Sequence, residues 1–344
     1  MQNKEAKFTI CIPTFNRGKR ALEQVQFLLD NIQDKYNWKI LVLDNGSKLE
    51  LEYYLEIKEL SSQHSRLEYI KHDENRFFNG NYMACITMAK TKYIMIMSDE
   101  DIPNIKNLEK LLPEIIDDDI GVVRGSIESL TEDWQGNSMT LTNKYYKAGK
   151  EALNNFVFFN NYLSGTIYNR DIIINFNLLQ RLKENLSKHA IYPHLYLESL
   201  LCAVSNIKLV ENVLSYEGKA ENTPDETGIV LNDPNAYKLP YSFGARVDLM
   251  IVFRDAIYEA IGLIDKKMDM GLFLSLYLKI IHKTFYLISR ANAPMYIKNN
   301  LNIRYLQESL LHCAFASIVT YKEFKDKHEY IIETLNKIYE EFRY

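Results

Sequence analysis

Cysteine is scarce and scattered in this chain. Its four thiols, Cys11, Cys85, Cys202 and Cys313, form no C-x-x-C pair, which excludes a zinc knuckle and a disulfide framework and fits a reducing cytoplasm. A basic excess is missing too. The 41 Lys and Arg stand against 45 Asp and Glu, a net charge of -4, so the chain is not equipped to neutralise the phosphates of a nucleic acid. There is no internal repeat and no low-complexity tract. The first residues show no basic region followed by an apolar core and a cleavage site, so no secretion is expected. The most apolar late stretch, 270–288, is broken by Lys279, His282 and Lys283, and reads as a buried or interfacial helix rather than a membrane span.

What is present is a chain of 344 residues, 47% apolar and 25% charged, long enough to bury a substantial core in one or two domains. Short apolar runs at 8–12, 40–43, 67–70 and 93–97 alternate with stretches of helical length and spacing at 19–32, 49–60 and 79–90. This β-α-β-α-β-α-β series predicts an α/β fold with an open, mostly parallel central sheet flanked by helices on both faces. Further on, strands are expected at 121–125, 165–168 and 207–216, with helices at 150–160 and 193–204. The segment 217–240 is rich in Asn, Asp, Pro and Gly and reads as a loop or linker. From Tyr241 onward the pattern is nearly all helical.

In such sheets ligands sit beyond the carboxyl ends of the strands. Those ends are Pro13-Thr14-Phe15-Asn16-Arg17, Asp44-Asn45-Gly46-Ser47, His72-Asp73-Glu74-Asn75 and Ser98-Asp99-Glu100-Asp101. All four are polar, and three carry acids. Asp99 and Asp101, one residue apart after a buried strand, suit Mn²⁺ or Mg²⁺ bridging diphosphate oxygens. Hard cations take oxygen ligands, keep several waters and use only one or two protein carboxylates beside substrate phosphates. Taken alone, an acidic pair is more often just a solvated loop. The position after 93–97 and before the helix-like 104–116 gives the metal reading its weight.

The succession Ile12-Pro13-Thr14-Phe15-Asn16-Arg17, Val42-Leu43-Asp44-Asn45-Gly46-Ser47, Asn75 with Phe78-Asn79-Gly80-Asn81 and Ala84, then Ser98-Asp99-Glu100-Asp101 resembles family 2 glycosyltransferases in order and spacing. The resemblance covers about the first third of the chain and continues more weakly through Gly165-Thr166-Ile167-Tyr168-Asn169-Arg170. It implies a GT-A fold and an inverting transfer from a nucleotide-sugar donor, with a helical C-terminal region that it does not cover. Pro13, Thr14 and Asn16 would shape the nucleotide loop, Arg17 would neutralise phosphate, and Asp44 with Asn45 would face the base, favouring UDP. Asn79 and Gly80 would lie near the nucleoside, Asp99 would contact ribose or donor sugar, and Asp101 with Asp99 would hold the metal. Plainer readings remain beside these: Asp44-Asn45-Gly46 as a tight turn and Asn79 as a helix cap. The implied layout is a catalytic domain over 1–218 (1–125 for the donor, 126–218 for the acceptor), a linker over 219–240 and a helical region over 241–344.

One departure from the family stands out. Where the family places an acid pair at the start of a helix, this chain has Pro193-His194-Leu195, with Glu198 one turn later. His194 and Glu198 are therefore both candidates for the base that takes the acceptor proton. In 266–304, seven Lys or Arg accompany a single acid, Asp269, a basic face that suits either an anionic membrane surface at the inner face of the membrane or a solvated helix edge. The acceptor implied is a glycan, lipid-linked or protein-bound; a homo-oligomer is compatible with the sequence. Two rivals stay open. A nucleotidyltransferase would open with a glycine-rich phosphate loop, whereas only Gly18 follows 13–17 here. A non-catalytic scaffold is kept alive by His194 standing where an acid is expected.

Overall fold

In the computed structural model, which describes residues 7–33, 37–115, 120–130, 138–158, 162–185, 192–218, 242–298 and 300–344, the apolar runs of the first hundred residues are strands. β1 (Phe8–Thr14), β2 (Lys39–Asp44), β3 (Leu67–Lys71) and β4 (Tyr93–Ile96) alternate with α1 (Gly18–Asn31), α2 (Leu51–Gln63) and α3 (Phe77–Met88). The chain continues through β5 (Ile102–Pro103), α4 (Ile105–Ile115), β6 (Ile120–Ser129), β7 (Lys144–Tyr146), α5 (Lys150–Phe156), β8 (Thr166–Asn169), α6 (Arg170–Asn175), α7 (Leu178–Asn185), α8 (Pro193–Val204) and β9 (Asn206–Glu217). These strands form one sheet in the order β3-β2-β1-β4-β8-β6-β9-β5, with β7 also on β9. The block β3-β2-β1-β4 is parallel, as is β6 with β9; β8 enters antiparallel between β4 and β6.

Burial explains the pattern. β1, β2 and β4 lose almost all their surface because helices cover both faces, which is why they read as continuous apolar runs. α1 turns Ala21, Leu22, Val25 and Leu28 inward onto a core that includes Ile10, Ile40, Val42 and Met95. Each of the larger side chains among these contributes roughly 1.5–3 kcal/mol on burial.

Several boundaries shift from expectation. The helix expected at 79–90 starts earlier, at Phe77, where the Asn75 side chain accepts a hydrogen bond from the Phe77 amide at 2.7 Å; the chain enters through a left-handed φ of 58° at Phe77. Asn79 is therefore a buried residue of the first turn, not a cap. β6 runs past the expected 121–125 because it pairs with β9 along most of its length. β5 and β7 are too short to show a period, and α6 and α7 were not anticipated. Most of the expected 217–240 loop lies outside the described residues, as does the end of the helix expected at 150–160.

The chain divides into two compact units, Met1–Asp233 and Pro234–Tyr344. The second consists of α9 (Phe243–Ile264), α10 (Met270–Tyr286) continued by a π turn (Leu287–Ala291), α11 (Ala293–Lys298), α12 (Ile303–Val319), a 3₁₀ turn (Lys322–Lys327) and α13 (His328–Phe342). Side chains of Ser242, Asp269 and Asn302 cap α9, α10 and α12 by accepting hydrogen bonds from amides three residues on, each worth about 1 kcal/mol. Phe273, Tyr277 and Phe324 stack in its interior.

Candidate active site

The carboxyl ends of β1, β2 and β4 open into one cleft of about 140 Å³, lined by Pro13, Thr14, Phe15, Arg17, Asn45, Asn75, Phe77, Phe78, Asn81, Ser98, Asp99 and Leu163. Parallel strands bring these ends together, since all of them point the same way. Of the expected donor-site residues, Pro13, Thr14, Arg17, Asn45 and Asp99 border this space; Asn16, Asp44, Asn79, Gly80 and Asp101 stand behind or beside it. The Thr14 hydroxyl donates to Asp99 Oδ2 at 2.8 Å and lies 2.9 Å from the Tyr54 hydroxyl. The Arg17 guanidinium lies 3.0 Å from Asp99 Oδ1 and also contacts Glu100. Tyr54, which accepts a hydrogen bond from the Arg17 amide at 3.0 Å, has no signal in the sequence beyond its place on the buried face of α2.

At the end of β2 the residues brace the loop. Asp44 is fully buried; its Oδ1 accepts from the Ser47 amide at 2.8 Å, its Oδ2 from the Tyr69 hydroxyl at 2.8 Å, and Lys71 lies 3.7 Å away. Asn16, at φ 57°, accepts from the amides of Lys48 and Leu49. Asn45 accepts from the Arg76 amide and donates to Asn75 at 2.8 Å, fastening β2 to the start of α3. Gly46 has φ 76°, and a Cβ there would stand 2.8 Å from the Glu74 carbonyl carbon, so the turn requires glycine. The tight-turn reading of Asp44-Asn45-Gly46 thus holds in the geometry.

The acidic turn is held from three sides. Gln24, a polar residue on the inner face of α1, donates to the carbonyls of Ser98 and Asp101. Asp101 is fully buried and accepts from the Tyr162 hydroxyl at 2.6 Å, the Ser164 hydroxyl at 2.6 Å and the Gly218 amide at 2.9 Å. A Cβ on Gly218 would stand 1.9 Å from the Glu100 carbonyl oxygen, so glycine is what lets β9 close against this turn.

These contacts bear on the implied metal. Among the described residues no cluster of three His, Cys, Asp or Glu side chains is placed to hold an ion. Asp99 is the acid of the pair that borders the cleft, where it would share a divalent cation with substrate phosphates; its own oxygens face Arg17 and Thr14. Asp101 has both oxygens on protein donors and braces the turn from inside.

Burial raises the Asp101 carboxyl from its ordinary 3.8 to about 6, against three hydrogen bonds that favour the ionised form. Between those values the folded chain keeps a proton that the unfolded chain releases, so this group's contribution to stability grows as pH falls from about 6 toward 4. Urea unfolding of the metal-free protein should show that component in the wild type and lose it in Asp101→Asn. An identical pH dependence in both proteins would refute the assignment.

On the far side of β8, α8 begins after Tyr192, whose φ is 62°, with Pro193 in its first turn. His194 is 1% exposed and lies under two rings, Tyr192 at 5.9 Å and Tyr82 at 6.4 Å between centroids. Glu198, the other candidate base, faces the interior. Its Oε1 accepts from Arg124 at 2.5 Å and from the Tyr168 hydroxyl at 2.8 Å, and burial pushes its carboxyl up although Arg124 opposes the shift. Neither residue borders the cleft at the ends of β1, β2 and β4. Arg124 was not anticipated as a site residue.

A sheet whose parallel strands deliver a threonine, an arginine, paired asparagines and an acidic turn into one cleft is the architecture of a GT-A nucleotide-sugar transferase. Residues 9–176 match the Glycosyl transferase family 2 model, so the chain carries a family 2 glycosyltransferase domain. The crystal structure of S. aureus TarS 1–349 in complex with UDP is similar, with a TM-score of 0.64 at 11% identity over 98% of this chain and 91% of that one. The complex of TarS 1–349 with UDP-GlcNAc gives 0.56 at 12% identity over 96% and 92%. At these identities the likeness is one of fold. No curated protein sequence matches the chain.

Proposed function

We propose that this glycosyltransferase draws its sugar from a UDP-sugar and passes it, with inversion, to a hydroxyl of a glycan, lipid-linked or protein-bound acceptor in surface glycan synthesis. The observation that carries the reading is the convergence of Thr14, Arg17, Asn45 and Asp99 on one cleft within a family 2 domain. The UDP and UDP-GlcNAc held by the similar TarS structures favour uridine as the nucleoside.

In this reading the Asn45 and Asn75 amides and the rings of Phe77 and Phe78 flank the nucleoside. Arg17 turns from Asp99 and Glu100 to the donor diphosphate, exchanging one charge-assisted contact for another. A Mn²⁺ or Mg²⁺ ion on Asp99 would supply positive charge against the leaving diphosphate. Asp101, Gln24 and Ser164 keep the acidic turn in place, which holds Asp99 and Glu100 beside Arg17. His194 takes the acceptor hydroxyl proton as that oxygen attacks the sugar carbon opposite the diphosphate. For this the Tyr192 ring, edge-on to the imidazole, would rotate aside about its own side-chain torsions. Glu198, paired with Arg124, holds α8 and with it the imidazole.

Ligands that bind only the folded state raise its melting temperature, by about 2.7 kcal/mol of added stability at a hundred times Kd. UDP with Mn²⁺ is expected to raise the melting temperature by several degrees, and GDP by less. Equal and negligible shifts with every nucleoside diphosphate, with and without Mn²⁺, would overturn the donor assignment.

A further inference from the structure

The helical unit carries a groove of about 750 Å³ between α10, the 3₁₀ turn and α13. Its floor is apolar, made by Leu274, Leu278 and Ile338, and its rim carries Lys279 and His282 from α10 and Lys327 from the 3₁₀ turn, the two lysines being its cations. The exposed ring of Tyr330 forms one wall. Glu341 lies 3.0 Å from His282, and the two lysines complete the positive edge.

The helix that supplies most of this groove's lining is unusual within the unit. Met270–Ala291 has a mean hydropathy of 1.3, long and apolar enough by composition to cross a membrane, yet only half of it is buried. Its exposed side presents Lys279, Lys283 and Tyr286 at i, i+4 and i+7, so cations and an aromatic ring share one face. Those are the side chains that suit the plane of a lipid headgroup layer: ammonium groups for phosphate, long stems and a tyrosine ring for the boundary with the acyl chains.

We infer that the groove receives the phosphate head and first methylenes of an anionic phospholipid, docking the helical unit on a membrane surface. Lys279 and Lys327 hold the phosphate from opposite sides while Leu274, Leu278 and Ile338 meet the chain. The groove's own helices supply every contact, so the inference stands apart from the donor reading.

The test is co-sedimentation of the full chain with vesicles of phosphatidylglycerol or of phosphatidylcholine. Binding to the anionic vesicles that weakens with salt is expected, reduced about tenfold or more in K279E/K327E and left intact in the control K325E. Ser275→Trp fills the groove without altering charge and should also weaken binding. Both variants should keep the wild-type melting temperature and nucleotide response, which separates failure here from failure of the donor assignment. Equal binding to both vesicle types, wild-type binding by K279E/K327E, or an unaffected S275W would each overturn the groove.

Discussion

Arg124→Leu is expected to lower the melting temperature by about 10 °C. Arg124 and Glu198 are each 1% exposed and form an ion pair at 2.5 Å, with Thr166 accepting from the Arg124 Nε at 3.1 Å and the Phe156 ring 5.1 Å from the guanidinium. Removing one member of a buried pair strands the other, at a cost of about 3–5 kcal/mol. A domain of this size loses about 2–4 °C per kcal/mol. Since burial already pushes the Glu198 carboxyl upward, losing Arg124 raises it further. The stranded acid then takes up a proton more readily, so the deficit should shrink as pH falls. Arg124→Leu with Glu198→Leu removes both charges and should recover most of the loss, because hydrophobic replacements of buried pairs are often neutral or stabilising. Circular dichroism melts of the two variants decide the matter. A single variant within 2 °C of wild type, or a double variant no better than the single, would show that the pair does not hold α8. Glu198→Gln adds a functional reading: the amide oxygen can still accept from Arg124 and Tyr168, so turnover should stay within about tenfold of wild type, whereas loss of a base reaches 10²–10⁴-fold.

That pair also shows what the sequence displayed and what it concealed. Arg124 interrupts the apolar run Gly121-Val122-Val123, and Glu198 interrupts Leu195-Tyr196-Leu197 and Leu200-Leu201. A charge inside a buried element needs a partner, but only the packing of α8 against β6, with Thr166 and Tyr168 of the adjoining β8 completing the contacts, names it. The four polar strand ends were legible because parallel strands have a fixed polarity and their apolar runs stop abruptly. The side chains behind those ends were not. Gln24 among Ala21, Leu22 and Val25, and Tyr54 on α2, meet the site only through the packing of α1 and α2 on one face of the sheet. Tyr162 and Ser164 reach Asp101 from a segment more than sixty positions away, a contact that no local period encodes. The same closure turned Asp101 inward, beyond what the spacing of two acids can convey.

His194→Ala should reduce kcat/KM by about 10²–10⁴-fold while leaving the UDP-induced thermal shift unchanged. Glu198 is engaged by Arg124 and Tyr168, and His194 is the other candidate base in the first turns of α8. Tyr82 and Tyr192 fix its plane, the latter edge-on at 88°, so the ring loses little freedom when an acceptor hydroxyl arrives. A base acts only in the transfer step, and the cleft proposed to bind nucleotide lies at the ends of β1, β2 and β4, away from α8. The variant should therefore separate binding from chemistry. Removing the ring also leaves a small cavity beneath Tyr192, into which free imidazole can enter. Partial recovery of turnover with added imidazole, at unchanged donor affinity, distinguishes a lost base from a disturbed helix, because a disturbed helix would not be repaired by the missing ring alone. Turnover within fivefold of wild type would remove His194 from the reaction and leave the proton to solvent or to the acceptor itself.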